Sequence, residues 1–151
     1  ELRDTKKLPV DFICYPHHGI GHICAIAVKD VPYKAFPRQV AMAAWSTKAG
    51  AYWSTFLLIV PNDIDVTDPG QVMWAMATRV HPTRGVWVAP DTIAIALLPY
   101  LSREEREKMV GPRVMLDGTW PTDWPAEEIP LVSSFKAMWP ESVQKKVLGG
   151  S

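Results

Sequence analysis

Asp63, Asp65 and Asp68 fall close together, as do His17, His18 and His22, and these six side chains have the types and spacing that could do chemistry. Clustered carboxylates suit a hard cation. Neutral imidazoles, with Cys14 or Cys24 as a fourth ligand, suit zinc if they converge from fixed elements. Each pattern also has a plainer account. Asp68 precedes Pro69 and stands three residues before Gln71, which makes an N-cap, a proline at the first helical position and a Gln at N3. Aspartates after a strand form Asx turns, and the glycine and distal Glu of an EF-hand loop are missing. The histidines lie on a polar turn leading into a strand. Gly19-x-Gly21 precedes that strand, whereas a phosphate loop follows a strand and opens a helix. Glu105-Arg106-Glu107 lies on a densely charged helix and reads as a solvated face. No nucleophile–base pair or Gly-x-Ser-x-Gly turn marks an independent hydrolase. Turns and caps, not a metal centre, are the expectation for both clusters.

The elements around these residues follow from pattern. Residues 55–60 are a short apolar run ended by Pro61, a buried strand. A helix starts at Asp68 and carries Val72, Ala75, Met76 and Val80 on one stripe, with Trp74 and Arg79 flanking it. Residues 12–15 read as an edge strand, residues 16–21 as a turn, and residues 23–28 as a strand apolar on both faces, inside a covered sheet. Pro37 opens a helix to about Trp45 with Val40, Ala41 and Ala44 inward, and Gly50 lies just after it. His81-Pro82 forces a break before a strand at residues 86–88. Residues 91–99 read as a mostly apolar loop alternating at Ile93, Ile95 and Leu97. Ser102 and Glu105 form a capping box for a charged helix stopping at Gly111-Pro112. A last strand covers residues 114–116, residues 120–130 run over a surface, and Pro140 opens a final helix. That helix has Glu141 in its first turn, Lys145 and Lys146 in its last, and Gly149 beyond. Strands alternating with helices predict an α/β fold, one domain with a mixed, partly parallel sheet flanked by helices.

The order of these segments resembles one family. DIDVTDPGQVMWAMATRV (residues 63–80) is similar to the signature of the C-terminal domain of UbiD-type decarboxylases, prenylated-flavin enzymes acting on aromatic and α,β-unsaturated acids. HHGIGHICAIAVKDVPYKAFPRQVAMAAW (residues 17–45) resembles the family's His-bearing strand, its turn and its Ala-rich helix. VMLDGTWPTDWP (residues 114–125) and ESVQKKVLGG (residues 141–150) resemble a Met-x-x-Asp-(Ala/Gly)-Thr stretch and the closing helix. The four motifs cover most of residues 12–150, leaving residues 1–11 as a connector. The resemblance implies that prenylated FMN, Mn2+, K+ and a Glu–Arg–Glu acid–base set belong to a flavin-binding N-terminal partner domain or subunit. Residues 105–107 are not that set. It also implies that this domain makes homo-oligomer contacts. In the cinnamic and ferulic acid branch, a loop running Asp, then Phe-x-Leu-x-Pro, turns its Phe and Leu toward substrate. Here the matching stretch is Ile95-x-Leu97-x-Pro99, so the resemblance implies Ile95 and Leu97 as substrate-pocket side chains. Ile95 in place of Phe puts stacking on a cinnamyl ring in doubt.

Composition bounds the alternatives. A chain of 151 residues is one domain's worth. Sixteen basic and 16 acidic residues balance, which gives no electrostatic footprint for nucleic acid or an anionic membrane surface. No apolar run approaches the ~20 residues of a membrane-spanning helix. Cys14 and Cys24 leave a disulfide open, but two cysteines in such a chain more often mean a reducing cytoplasm. Seven tryptophans suggest large buried anchors or a contact surface toward another domain. The chain opens on Glu1, which leaves open an excised domain or a processed subunit. The functional expectation is the C-terminal, substrate-pocket and oligomerisation part of a reversible (de)carboxylase, inactive alone. The alternative is a non-catalytic assembly subunit.

Overall fold

The computed structural model describes residues 2–130 and 140–148. Five strands form one sheet in the order β1-β2-β3-β5-β4: β1 (Val10–Cys14), β2 (Ile23–Val28), β3 (Phe56–Pro61), β4 (Val86–Ile93) and β5 (Val110–Asp117). The central strands β2, β3 and β5 run parallel, and β1 and β4 pair antiparallel at the two edges. The α-helices among the described residues are α1 (Phe36–Trp45), α2 (Lys48–Tyr52), α3 (Pro69–Arg79), α4 (Arg103–Lys108) and α5 (Glu141–Leu148). The expected α/β class and the mixed, partly parallel sheet are both present.

Strand periodicity of two splits the core between the two faces of the sheet. Ile26, Val28, Leu57, Ile59 and Met115 face α1, whose Phe36, Val40, Ala41 and Ala44 close that layer. Ala25, Ala27, Leu58 and Val60 face α3 and pack on its Val72 and Ala75. Each fully buried Phe, Ile or Leu side chain contributes roughly 1.5–3 kcal/mol, so the two apolar layers dominate the stabilisation. Leu2, Leu8 and Val10 are buried in the α1-side layer, so the segment read as a connector contributes core side chains, and β1 begins at Val10.

Several local readings are met. The Asp68 side chain accepts from the Gly70 amide, and Pro69 occupies the first turn of α3. Ser102 and Glu105 make the reciprocal capping box of α4. Glu141 pairs with Lys145 in α5, while Gly149 lies outside the described residues.

Others are corrected. Gln71 does not close a capping box on Asp68; its Oε1 accepts from the Asp65 amide six residues back. Met76 is exposed, and Arg79, placed on a flank, is buried. Strand β4 continues through residues 91–93, because a bulge between Ala89 and Thr92 absorbs Pro90 on an edge strand. Helix α4 ends at Lys108, and Gly111-Pro112 lies inside β5, ahead of the point at Val114 where pairing with β3 begins. Gly50 is not a terminator. It sits inside the short helix α2, so close to α1 that a Cβ there would lie 1.9 Å from the Ala44 carbonyl oxygen.

Candidate functional site

The amino ends of β2, β3 and β5 and the carboxyl ends of β1 and β4 meet along one edge of the sheet. Ile95 and Leu97 lie there, on the loop leaving β4. The loop is built on two successive turns, with the Leu98 amide donating to the Ile95 carbonyl and the Leu101 amide to the Leu98 carbonyl. Ala94 and Leu101 are its buried anchors. Both press on Gly111, where a Cβ would come within 2.7 Å of Leu101 Cδ2 and 3.0 Å of Ala94 Cβ. The alternation of Ile93, Ile95 and Leu97 is therefore not a core face. Ile95 is half-buried and Leu97 is 89% exposed at the loop tip.

Arg113 of β5 fixes this loop in place, and sequence reasoning missed it. Its side chain is buried without a carboxylate partner among the described residues. Nε (3.3 Å) and Nη2 (2.8 Å) donate to the Ile93 carbonyl, where the loop leaves β4. Nη1 donates to the Trp53 carbonyl at 2.9 Å, and the two Nη groups also reach the Gly50 and Ala51 carbonyls. These are carbonyls at and beyond the end of α2, the negative end of a helix. One guanidinium thus ties the α2 terminus to the root of the Ile95–Leu97 loop. Burial draws the Arg113 pKa down, with Tyr100 and Tyr15 opposing. The sequence reading begins this strand at Val114, which leaves Arg113 outside it as an ordinary loop charge.

Beside Arg113, the Tyr15 hydroxyl hydrogen-bonds Ser54 Oγ at 2.8 Å, and burial raises its pKa. His22 Nδ1 lies 3.1 Å from Thr55 Oγ1, its ring 5.3 Å from that of Trp53. Burial, then the Arg113 charge, lowers the His22 pKa. His17 and His18 lie against each other, tilted by 36° with ring centroids 3.8 Å apart. Among the described residues, no three His, Cys, Asp or Glu side chains are placed to hold a metal ion. Gly21 takes the left-handed φ of +78° its turn requires, and the Trp53 ring fills the space beside it, 2.9 Å from where a Cβ would be. That packing leaves no phosphate cradle. Both cysteines are free thiols, and burial lifts Cys24 to about 11. Ile20, Ile23, Trp53, Phe56 and Leu97 are all exposed at this edge, an unusual concentration of apolar side chains in water.

The aspartate cluster is local scaffolding. Asp65 accepts from the Thr67 amide and hydroxyl, Asp68 caps α3, and Asp63 holds Arg79 through two parallel bonds of 2.9 and 2.7 Å. Arg106 donates to the Pro99 carbonyl, and Glu104 and Glu107 make exposed pairs within α4 with Lys108 and Arg103.

The family described as the 3-octaprenyl-4-hydroxybenzoate carboxy-lyase C-terminal domain matches residues 1–118. The pyrrole-2-carboxylic acid decarboxylase of Pseudomonas aeruginosa is 31% identical over 155 residues, covering 97% of this chain and 31% of the relative. Two solved structures share the fold. One is Sedimentibacter hydroxybenzoicus vanillic acid decarboxylase in closed form, with a TM-score of 0.76 and 24% identity over 99% of this chain and 30% of that one. The other is the UbiD-class enzyme HmfF from Pelotomaculum thermopropionicum in complex with FMN, with a TM-score of 0.74 and 22% identity over 95% and 29%. The chain thus spans less than a third of the length of each of these proteins. With a family match over residues 1–118 of its 151 and a fold shared with UbiD-class enzymes, this chain belongs to the UbiD-type carboxy-lyase C-terminal domain family.

Proposed function

We propose that the chain supplies one wall of the substrate pocket and the oligomer contacts of a reversible, UbiD-like (de)carboxylase acting on an aromatic or α,β-unsaturated carboxylic acid. Ile95 and Leu97 are its substrate-facing side chains. A flavin-binding partner domain or subunit holds prenylated FMN with Mn2+ and K+ and carries the Glu–Arg–Glu acid–base residues. The flavin supplies the bond-breaking chemistry when bound there, and this chain excludes water and shapes the apolar wall. The observation that carries the reading is Leu97, an almost fully exposed leucine on a loop held by a buried arginine, at an edge rich in exposed apolar side chains. The free thiols Cys14 and Cys24 support a cytoplasmic setting.

The test is an enzyme reconstituted with the flavin-binding partner. Leu97→Ala lowers kcat/KM or redirects substrate choice by roughly ten- to a hundred-fold, about 1–3 kcal/mol of transition-state binding. Its melting temperature stays within about 2 °C of the parent, because the side chain touches little in this domain. Ile95→Ala gives the same kinetic change with a modest loss of stability. Unchanged specificity in both variants removes the pocket assignment.

Sedimentation of the chain alone, followed at protein and flavin wavelengths, tests the division of labour. The expected result is concentration-dependent association with no flavin. Stoichiometric flavin or a concentration-independent monomer counts against the reading.

A further inference from the structure

At the opposite edge of the sheet, a cavity of about 430 Å³ opens beside the start of α1. Met115 and Asp117 of β5 and Trp87 of β4 line its floor, the first turn of α1 one side, and the 120–124 segment another. It lies roughly 20 Å from the Ile95–Leu97 loop, since six residue steps of β5 at about 3.3 Å separate the two edges.

Three features of this cavity ask for an anion. Helix α1 has no side-chain cap and no acidic residue in its first turn; Lys34 and Arg38 stand there instead, cations where the helix end favours a negative charge. Arg38 and Arg84 face the cavity without an ion-pair partner among the described residues. His81 Nδ1 accepts from the Thr83 amide at 3.2 Å, which leaves Nε2 as the donor of a ring that lines the cavity. Three tryptophans then supply flat surface. Trp120 and Trp124 stack with centroids 6.2 Å apart, the Arg84 guanidinium lies 6.0 Å from the Trp124 ring, and Arg38 lies 5.6 Å from Trp87.

The charges also limit the ligand. Arg79 is neutralised by Asp63, which leaves Lys34, Arg38 and Arg84 against Asp117 and Asp123. Asp117 is already engaged by the Thr119 amide at 2.9 Å and the Thr119 hydroxyl at 2.6 Å; burial raises its pKa, while those two bonds and the nearby Arg38 charge oppose the rise. Three cations facing two carboxylates balance a singly charged ligand better than a phosphate dianion.

From the cations at the start of α1 beside a tryptophan-walled cavity, we propose that this is a second binding site, for a planar aromatic monocarboxylate. The carboxylate lies toward Arg38, Arg84 and the α1 terminus, and the ring against Trp120 and Trp124. The volume is in the range of small-molecule sites and takes a one- or two-ring acid. The site does not rest on the reading of Ile95 and Leu97, and its test needs neither flavin nor turnover.

The probe is 2-naphthoate, titrated into the full chain by calorimetry and tryptophan fluorescence. One saturable site is expected. The uncharged 2-naphthamide binds at least about ten-fold more weakly, and inorganic phosphate does not displace the probe. Arg38→Met with Arg84→Met weakens naphthoate at least about ten-fold, with the melting curve unchanged because both side chains are exposed. Should that pair perturb folding, Lys34→Met, also exposed, carries the same expectation at about three-fold. The proposal is overturned by absence of saturation up to about 10 mM, by equal binding of naphthamide, or by a folded charge variant that binds as the parent does.

Discussion

Replacing Arg113 with Met will lower the stability of this domain by about 3–5 kcal/mol, the largest single-residue effect the structure implies outside the apolar core. The guanidinium is buried and answers the carbonyls of Gly50, Ala51, Trp53 and Ile93. Methionine fills much of the same volume and offers no donor, so several acceptors lose their partner at once. Each costs about 1–3 kcal/mol if it stays dry, and relaxation of the short helix toward water recovers part of that. For a domain of this size the loss appears as a fall of roughly 10–15 °C in melting temperature. Arg113→Lys recovers little, because one ammonium cannot span carbonyls on two segments. Hydrogen exchange should quicken at residues 48–54 and 94–100 together, since one side chain ties both. A melt within about 2 °C of the parent, or exchange altered in only one segment, would show that the tie is not structural.

Asp63→Ala should cost about 2–4 kcal/mol for a related reason. The Arg79 side chain is only 2% exposed, and the Asp63 carboxylate satisfies both of its terminal nitrogens. Arg79 Nε is buried with no hydrogen-bond partner among the described residues, so Asp63 is the whole of the pairing. The Trp74 and Trp120 rings, 5.4 and 5.0 Å away, hold the cation in place but accept no hydrogen bond from it. A buried charge stripped of its partner costs about 3–5 kcal/mol; Asp63 is 44% exposed, so entering water trims the figure. The double change Asp63→Ala with Arg79→Met should be more stable than Asp63→Ala alone, because no charge is left unpaired. Urea unfolding of the parent, Asp63→Ala, Arg79→Met and the double variant measures this. A double variant weaker than either single one would assign the penalty to lost packing of the arginine stem.

What was legible in the sequence was local. The Asp68 cap, the Ser102–Glu105 box and the both-faces-apolar run of β2 are each specified within a few residues, and the structure has all three. The strand–helix alternation likewise gave the α/β class and the mixed sheet. The failures occur where a distant contact overrides a local signal. Pro90, Gly111 and Pro112 punctuate the chain as loop residues do, yet they lie in the paired strands β4 and β5, where an edge bulge or a stretch without a β3 partner tolerates them. Gly50 reads as a helix stop but is required by the approach of α1. Arg113 has partners 20 to 63 residues away, and no spacing rule reaches that far. The cavity walled by Trp87, Trp120 and Trp124 draws on several separate segments, and although two of these lie in recognisable motifs, nothing in their spacing says that they meet.

The two edges of the sheet bear on how copies of this chain can meet. An unpaired edge strand is a template on which another chain can add, and runaway addition produces fibres. On β4 the template is broken by Pro90 and its bulge. On β1 the Arg3 side chain occupies the carbonyls of Val10 and Asp11, at 3.1 Å for Val10, and a bulge between Val10 and Phe12 leaves little regular backbone beyond. Neither edge offers a run long enough to seed a sixth strand. Strand addition along either edge, one route to open-ended fibres, is blocked by features built into the strands themselves.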